Sequence, residues 1–278
     1  LQIMARVLVD ASGRSGVLTR RARNWPAFRT TALTAHFAPG ERKGTLIETF
    51  PDGWVWSAPI VGGRRDVTVM LAAADAAGNP NKRFREAMRR VDLTGFVTGD
   101  LLTPVRAADV TPYRLGSTIA ELPPLVAVGD AASALDPVSG LGTMKAMDSG
   151  LTGAIVIRTA LEHPQDAGLA LSFHATKERG LAIEAEGRIA GFYAEESQYR
   201  ERAFWRQRSR ALPPPAPRST LPIGGCLVSA EGARVEVQGV LEQDWIIPAE
   251  VVVRPGRFRS GHRFAGISLA ELFRMSNA

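Results

Sequence analysis

The stretch Pro123-Pro124-Leu125-Val126-Ala127-Val128-Gly129-Asp130-Ala131-Ala132-Ser133, continued by Ala134-Leu135-Asp136-Pro137-Val138-Ser139-Gly140-Leu141-Gly142-Thr143, organises the chain. Leu125 to Val128 is a short apolar run with two β-branched residues that stops at Gly-Asp, the pattern of a buried parallel strand. Gly140 and Gly142 permit a close backbone approach to a ligand. Beyond them Met144, Met147, Leu151, Ala154 and Ile155 recur at helical spacing, so the Gly-rich turn opens a helix. A helix N-terminus presents unpaired N–H groups and a positive dipole end, a seat for an anionic or carbonyl-rich ligand. Asp130, at the carboxyl end of the strand, is placed to accept hydrogen bonds from sugar-like hydroxyls. Together these features describe a ligand-binding crevice in an α/β sheet. The same residues would also make a tight packing turn with a solvated Asp, because Gly-rich motifs recur without ligands.

Composition narrows the class. The chain has 278 residues, 45% hydrophobic and 22% charged, which fits one large or two ordinary soluble globular domains. Lys+Arg exceed Asp+Glu by 34 to 28, but the surplus is scattered and mostly arginine; Lys43, Lys82, Lys145 and Lys177 are the only lysines. Such scatter argues against a nucleic-acid face. Cys226 is the sole cysteine, so no internal disulfide can form and a reducing cytoplasm fits. No apolar run approaches about 18 residues, so no spanning helix and no membrane partner are expected. Leu1-Gln2-Ile3-Met4 has neither the charged start nor the apolar core of a signal peptide. His36, His163, His174 and His262 stand far apart with no ligand spacing, so no metal site is expected.

Val7-Leu8-Val9-Asp10-Ala11-Ser12-Gly13-Arg14-Ser15 repeats the logic of the central stretch, an apolar β-rich run ending in Asp and a Gly turn. From Thr30 to Ala74 the pattern is antiparallel sheet. Thr45 to Phe50, a turn at Pro51-Asp52-Gly53, Trp54 to Ile60, a break at Gly62-Gly63 and Val67 to Leu71 follow in order. Period two puts Trp54 and Trp56 on one face, as hydrophobes covering the sheet or as walls of a ligand space. Asn79 to Val91 reads as an amphipathic helix with Phe84, Met88 and Val91 inward and Lys82, Arg83, Arg85, Arg89 and Arg90 mostly in solvent. Asp100 to Leu115 is an extended, Pro-containing return. Past His163-Pro164, helical segments run to Arg210 with Phe192, Tyr193, Tyr199, Phe204 and Trp205. Tyr193 and Trp205 would line a substrate tunnel or, more commonly at this spacing, pack in a core. Pro213-Pro214-Pro215-Ala216-Pro217 is a stiff linker. Strands at Arg234 to Val240 and Trp245 to Ile247 and a helix at Ser268 to Met275 make a small α+β appendage.

Gly129-Asp130-Ala131-Ala132 with Asp136-Pro137-Val138-Ser139-Gly140-Leu141-Gly142 resembles the second FAD motif of flavin-dependent monooxygenases and halogenases, most of all the tryptophan-halogenase-like branch. Asp10-Ala11-Ser12-Gly13 resembles that family's other internal motif. Gly53 to Ile60 resembles the halogenase Trp-x-Trp-x-Ile-Pro signature, with Ala58 in place of the isoleucine. The resemblance covers residues 1 to about 210. It implies that Asp130 holds the flavin ribityl chain and that Pro137, Gly140, Leu141, Gly142 and Thr143 lie against the isoalloxazine ring. It places Asp10 and Gly13 near the FAD pyrophosphate, and Trp54 and Trp56 between flavin and substrate. The family also opens with a Gly-x-Gly-x-x-Gly turn for the adenosine diphosphate half of FAD. That turn is not in this sequence, so the expectation is a chain without its N-terminal nucleotide-binding segment. Such a chain should bind FAD poorly and aggregate or pair with another chain.

The implied fold is α/β: a Rossmann-like, three-layer FAD-binding domain fragment with an inserted antiparallel substrate sheet and a C-terminal helical and α+β extension. Residues 1–24 and 111–163 would form the partial FAD domain, 25–110 the sheet, 164–212 a helical segment, and 213–278 the linker and appendage. The implied function is an FAD-dependent monooxygenase that hydroxylates an aromatic substrate through a flavin C4a-hydroperoxide. That substrate would be an indole or tryptophan, free or on a peptide or carrier, with a separate flavin reductase as partner. Halogenation of an aromatic ring is the alternative, and a non-catalytic binding remnant a second one. The resemblance implies that halogenases of the family need a lysine between flavin and substrate, in the N-terminal region that is not in this sequence. Lys145, on the first turn after the Gly-rich stretch, is expected to point outward, which favours hydroxylation.

Overall fold

The computed structural model describes residues 4–116, 124–209, 231–255, 262–264 and 266–276; the proline-rich linker and Cys226 lie outside them. The chain enters through β1 (Leu8–Asp10) and β2 (Arg23–Asn24) and then lays down β3 (Thr30–Pro39), β4 (Leu46–Phe50), β5 (Gly53–Ile60) and β6 (Arg64–Ala72). Pro51 and Asp52 form the two-residue turn expected there, so Phe50 pairs with Gly53. Next comes α1 (Pro80–Met88), capped by Asn79, whose Oδ1 accepts the N–H of Asn81 at 2.9 Å and of Lys82 at 3.3 Å. Pro80 occupies the first turn, where its missing N–H costs nothing. Phe84 is buried while Lys82, Arg85, Arg89 and Arg90 stay in solvent, as the spacing predicts, although the helix stops before Val91.

The expected plain return over 100–115 is instead built into sheets. β7 (Val97–Leu101) and β8 (Arg106–Asp109) both pair antiparallel with β3, giving the order β4-β5-β6-β3-β7 with β8 also on β3. β8 pairs with Thr31 to Thr34 of β3 and β7 with Phe37 to Pro39, so two short strands share one edge, and the β7 pairing itself shifts register between Phe37 and Ala38. β9 (Tyr113–Leu115) then joins β2 and, later, β11 (Ser133–Ala134) in a small antiparallel sheet. One face of the large sheet buries Leu33, Val55, Val67 and Val69 with Phe37, Phe50 and Phe84.

β10 (Leu125–Ala127) runs parallel to β1 in the register Leu8 to Leu125 and Asp10 to Ala127, so the two strands that end in Asp motifs lie side by side. α2 (Gly142–Glu162) follows, then α3 (Ala167–Glu195) and α4 (Ala203–Ser209). α3 and α4 cover the second face of the large sheet, where Ala32, Trp54 and Met70 meet Ala185, Ile189, Tyr193, Phe204 and Trp205.

α2 forms where its apolar spacing predicts, but the residues that carry that spacing face outward. Met144, Met147 and Leu151 are 68%, 66% and 70% exposed, whereas Lys145, Ser149, Thr152, Gly153, Val156 and Thr159 are buried. The reason is closeness to β10: a Cβ on Gly153 would sit 2.5 Å from Val128 Cγ1. Only a face of small residues fits so near the strand, and Ser149 uses its Oγ to accept the Gly129 N–H at 2.8 Å. Thus the helix turns its large apolar side away.

The C-terminal part is a long hairpin, β12 (Arg234–Glu242) and β13 (Trp245–Val253), followed by the short pair β14 (Arg263–Phe264) and β15 (Ile267–Ser268) and by α5 (Leu269–Ser276). Ile246 from this hairpin packs in one cluster with Val126, Val156 and Ala170, so it shares a core with β10, α2 and α3.

Candidate active site

Both Asp motifs converge because β1 and β10 are neighbours. The Val128 N–H donates to Asp10 O at 3.0 Å, and Thr19 Oγ1 lies 2.9 Å from Asp10 Oδ2 and 3.1 Å from Ala131 O. The Asp10 carboxylate is buried and spent on its own loop. Oδ1 accepts the N–H and hydroxyl of Ser12, and Oδ2 accepts the N–H of Leu18 and both N–H and hydroxyl of Thr19. Burial alone would raise its pKa, but the bonds from Ser12, Leu18 and Thr19 outweigh it and hold the carboxyl below the usual range. Asp10 therefore shapes the loop from within, and Gly13, at φ 62°, forms its partly exposed tip.

That depressed pKa has a testable sign. A carboxyl stronger in the folded state contributes stability above its unfolded pKa of about 3.9, and the contribution is lost as pH falls. Asp10→Asn is expected to cost about 1–3 kcal/mol at pH 7. The gap between the two proteins in urea denaturation should narrow steadily from pH 5 to pH 3; a gap independent of pH would contradict the assignment.

Asp130 sits in a short 3-10 turn, Gly129–Ala131, directly after β10. Its backbone is held and its side chain is not. Tyr113 donates its hydroxyl to Asp130 O, while the partly exposed Asp130 carboxylate has no protein partner among the described residues. Tyr113 is itself fixed by the Arg23 guanidinium, 4.0 Å from its ring centroid, and by Trp25 at 4.9 Å. Lys145, expected to point outward, points inward. Its Nζ donates to Gly129 O at 2.8 Å and Ser133 O at 3.0 Å and lies 2.9 Å from Glu178 Oε2. The same small-residue face that lets α2 approach β10 carries Lys145 in with it.

Asp136, Pro137, Val138 and Ser139 make the next turn, which Gly140 ends at φ 63°, a left-handed conformation that favours glycine. Gly140, Leu141 and Thr143 are exposed at the N-terminus of α2, and Pro137 and Gly142 are partly so. Beneath them runs a buried chain of hydrogen bonds. Trp54 Nε1–H donates to the Tyr193 hydroxyl at 3.3 Å, and that hydroxyl donates to Asp136 Oδ1 at 3.0 Å. Asp136 Oδ1 also accepts the Val138 N–H at 3.0 Å. Burial drives the Asp136 carboxyl up, against the bonds from Val138 and Tyr193 and the charge of Arg208. Burial likewise lifts the Tyr193 phenol well above its ordinary value, so it stays a donor.

The structure thus places Asp10 and Asp130 at the carboxyl ends of the two neighbouring parallel strands, with Gly13 in the loop after the first and Pro137, Gly140, Leu141, Gly142 and Thr143 in the turn and first residues of α2 that follow the second. Trp54 and Trp56 share a face as expected, but that face is packed under α3 and α4, with Trp54 fully buried. Trp54 reaches the site only through Tyr193. Residue spacing did not reveal Tyr113, Glu178 or the inward Lys145. The available signal was the line Lys145, Ser149, Thr152, Val156, at helical spacing and mostly small. Among the described residues no helix is long and apolar enough to cross a membrane.

A free carboxylate at a strand end, beside a glycine-rich helix N-terminus, fits a flavin with its ribityl hydroxyls and carbonyl-rich ring. No family model matches the chain. It is 25% identical over 224 residues to a tryptophan 2-halogenase of Chondromyces crocatus, covering 73% of this chain and 42% of that protein. Among solved structures, a peptidyl tryptophan dihydroxylase essential for tryptophylquinone cofactor biogenesis is 29% identical with a TM-score of 0.71, covering 90% of this chain and 57% of that one. A flavin-dependent halogenase shares the fold at a TM-score of 0.72 and 16% identity, covering 94% of this chain and 58% of that one. The chain therefore spans about half the length of these relatives. Coverage of 90% also carries the likeness past residue 210, where the motifs stop. In sequence the chain is thus similar to a tryptophan 2-halogenase and a peptidyl tryptophan dihydroxylase, and in fold to flavin-dependent halogenases.

Proposed function

We propose that the protein is an FAD-dependent oxidoreductase of the monooxygenase type that hydroxylates an aromatic ring, an indole or tryptophan on a peptide or carrier. The observation that carries the flavin reading is the partly exposed Asp130 carboxylate, without a protein partner among the described residues, in the turn that follows β10 and precedes α2. Asp130 would accept hydrogen bonds from the ribityl hydroxyls, Pro137 with the backbone of Gly140, Leu141, Gly142 and Thr143 at the α2 N-terminus would hold the ring, and the Asp10 loop, through Gly13, would hold the pyrophosphate. FAD, once reduced by a separate reductase, supplies the oxygen chemistry. The protein orients the ring, keeps water out and holds the substrate beside it, with Trp54 and Trp56 backing that space from within the core.

One point supports hydroxylation over halogenation: at 29% identity one relative is a peptidyl tryptophan dihydroxylase. Lys145 is committed to Gly129, Ser133 and Glu178, and Lys177 to Asp148 and Thr152. Lys43 and Lys82 are exposed, in the β3–β4 loop and on α1. The second reading, an aromatic halogenase, draws on the Trp54-x-Trp56 signature and the 25% identity to a tryptophan 2-halogenase.

In a full-length protein, Asp130→Ala is expected to weaken FAD binding by about 1.5–3 kcal/mol, the range for a hydrogen bond to a charged group; equal affinities by titration would sink the assignment. To choose the reaction, the protein is supplied with FAD, a flavin reductase, O2, an indole-bearing peptide and bromide, and the products are weighed. A gain of oxygen independent of bromide is expected. Brominated product would overturn hydroxylation.

A further inference from the structure

We propose that Lys145, held in place by Glu178, is a positioning residue for Asp130, setting how that carboxylate grips the ribityl chain. The inference rests on the reading that Asp130 binds the flavin. Lys145 Nζ donates to Gly129 O at 2.8 Å and to Ser133 O at 3.0 Å, the carbonyls on either side of Asp130-Ala131-Ala132. One ammonium thus ties both ends of the turn that carries Asp130. Its ion-pair partner is Glu178, whose Oε2 lies 2.9 Å from Nζ.

Other side chains pin the rest of the same backbone. Ser149 Oγ accepts the Gly129 N–H and the Tyr113 hydroxyl donates to Asp130 O. Every one of these contacts is to the main chain, and the acid in the middle is left free among the described residues. Such a turn presents a side chain in a set place.

The pair is also costly where it stands. Both side chains are buried, 7% and 8% exposed, and a cation in the first turn of a helix meets the positive dipole end. Glu178, reaching across from α3, offsets that charge. With its charge neutralised by Glu178, Lys145 acts through geometry.

Lumiflavin, the flavin ring without the ribityl chain, separates positioning from general loosening. FAD and lumiflavin are titrated into the unchanged chain, Asp130→Asn, Lys145→Met and the double variant Asp130→Asn/Lys145→Met. Lys145→Met is expected to weaken FAD about tenfold, as Asp130→Asn does, while lumiflavin changes less than about twofold. The double variant should bind FAD no more weakly than Asp130→Asn alone. If Lys145→Met strands Glu178 and fails to fold, Lys145→Met/Glu178→Met removes both charges and should give the same pattern. A parallel loss of both flavins, or unchanged FAD affinity, would overturn the inference and leave the Asp130 reading intact. An Asp130→Asn protein with undiminished FAD affinity would remove that reading and the inference with it.

Discussion

Replacing Trp205 by alanine is expected to remove about 3–5 kcal/mol of stability, the range for truncating a large buried aromatic. Trp205 is almost fully buried on α4, with ring centroids 5.3 Å from Phe204 and 5.8 Å from Tyr193. Its Nε1–H donates to Phe50 O at 3.0 Å, which ties α4 to the hairpin end of β4. Alanine forfeits the apolar area, the ring contacts and the bond together. Trp205→Phe keeps most of the packing and loses the bond, so about 1–3 kcal/mol is expected for it. Urea unfolding of the three proteins gives the comparison. A loss below about 1 kcal/mol for the alanine variant would mean that α4 does not seal the second face of the sheet. Because the same cluster holds Tyr193, the alanine protein should also bind FAD more weakly.

Tyr193→Phe removes a single oxygen but breaks two buried hydrogen bonds. The Trp54 Nε1–H loses its acceptor and Asp136 loses a donor, so about 2–4 kcal/mol is expected at pH 7. The effect should depend on pH. Asp136 has its folded pKa raised by burial, so its contribution is fully present below the unfolded pKa of about 3.9 and is lost as pH rises through the folded value. The groups that restrain this rise are the Val138 N–H, the Tyr193 hydroxyl and the Arg208 charge. Without the hydroxyl the rise is larger, and the charged carboxylate is worse housed. The stability gap between the two proteins should therefore widen between pH 4 and pH 7. Tyr193→Phe/Asp136→Asn should lose that slope. A gap that stays constant would show that Asp136 gains nothing from Tyr193.

Much of this protein is legible locally. The hairpin around Pro51-Asp52, the period-two strands, the Asn79-capped helix and the two strand-end aspartates each depend on residues within one turn or one strand of each other. Short-range sterics and hydrogen bonding settle such features, so residue order alone determines them. Asp10 and Asp130 could likewise be picked out as a pair, because a strand, an acid and a glycine turn make a signature that survives without knowledge of the neighbours.

The tertiary structure decided what faces what. The spacing of Met144, Met147 and Leu151 marks a helix, but the close approach of β10 at Gly153 determines that these residues lie outside and Lys145 inside. That approach depends on the register of β1 with β10. Trp54 and Trp56 share a face by periodicity, whereas α3 and α4 determine that the face is covered. The chain from Trp54 through Tyr193 to Asp136 joins residues on a sheet, a helix and a turn, 139 and 57 positions apart. β3 offers Thr31 to Thr34 to β8 and Phe37 to Pro39 to β7, a division of one edge that only the finished sheet shows. In each case a residue's partner lies on an element far away in sequence, and its energy depends on packing density and burial that exist only once those elements have met.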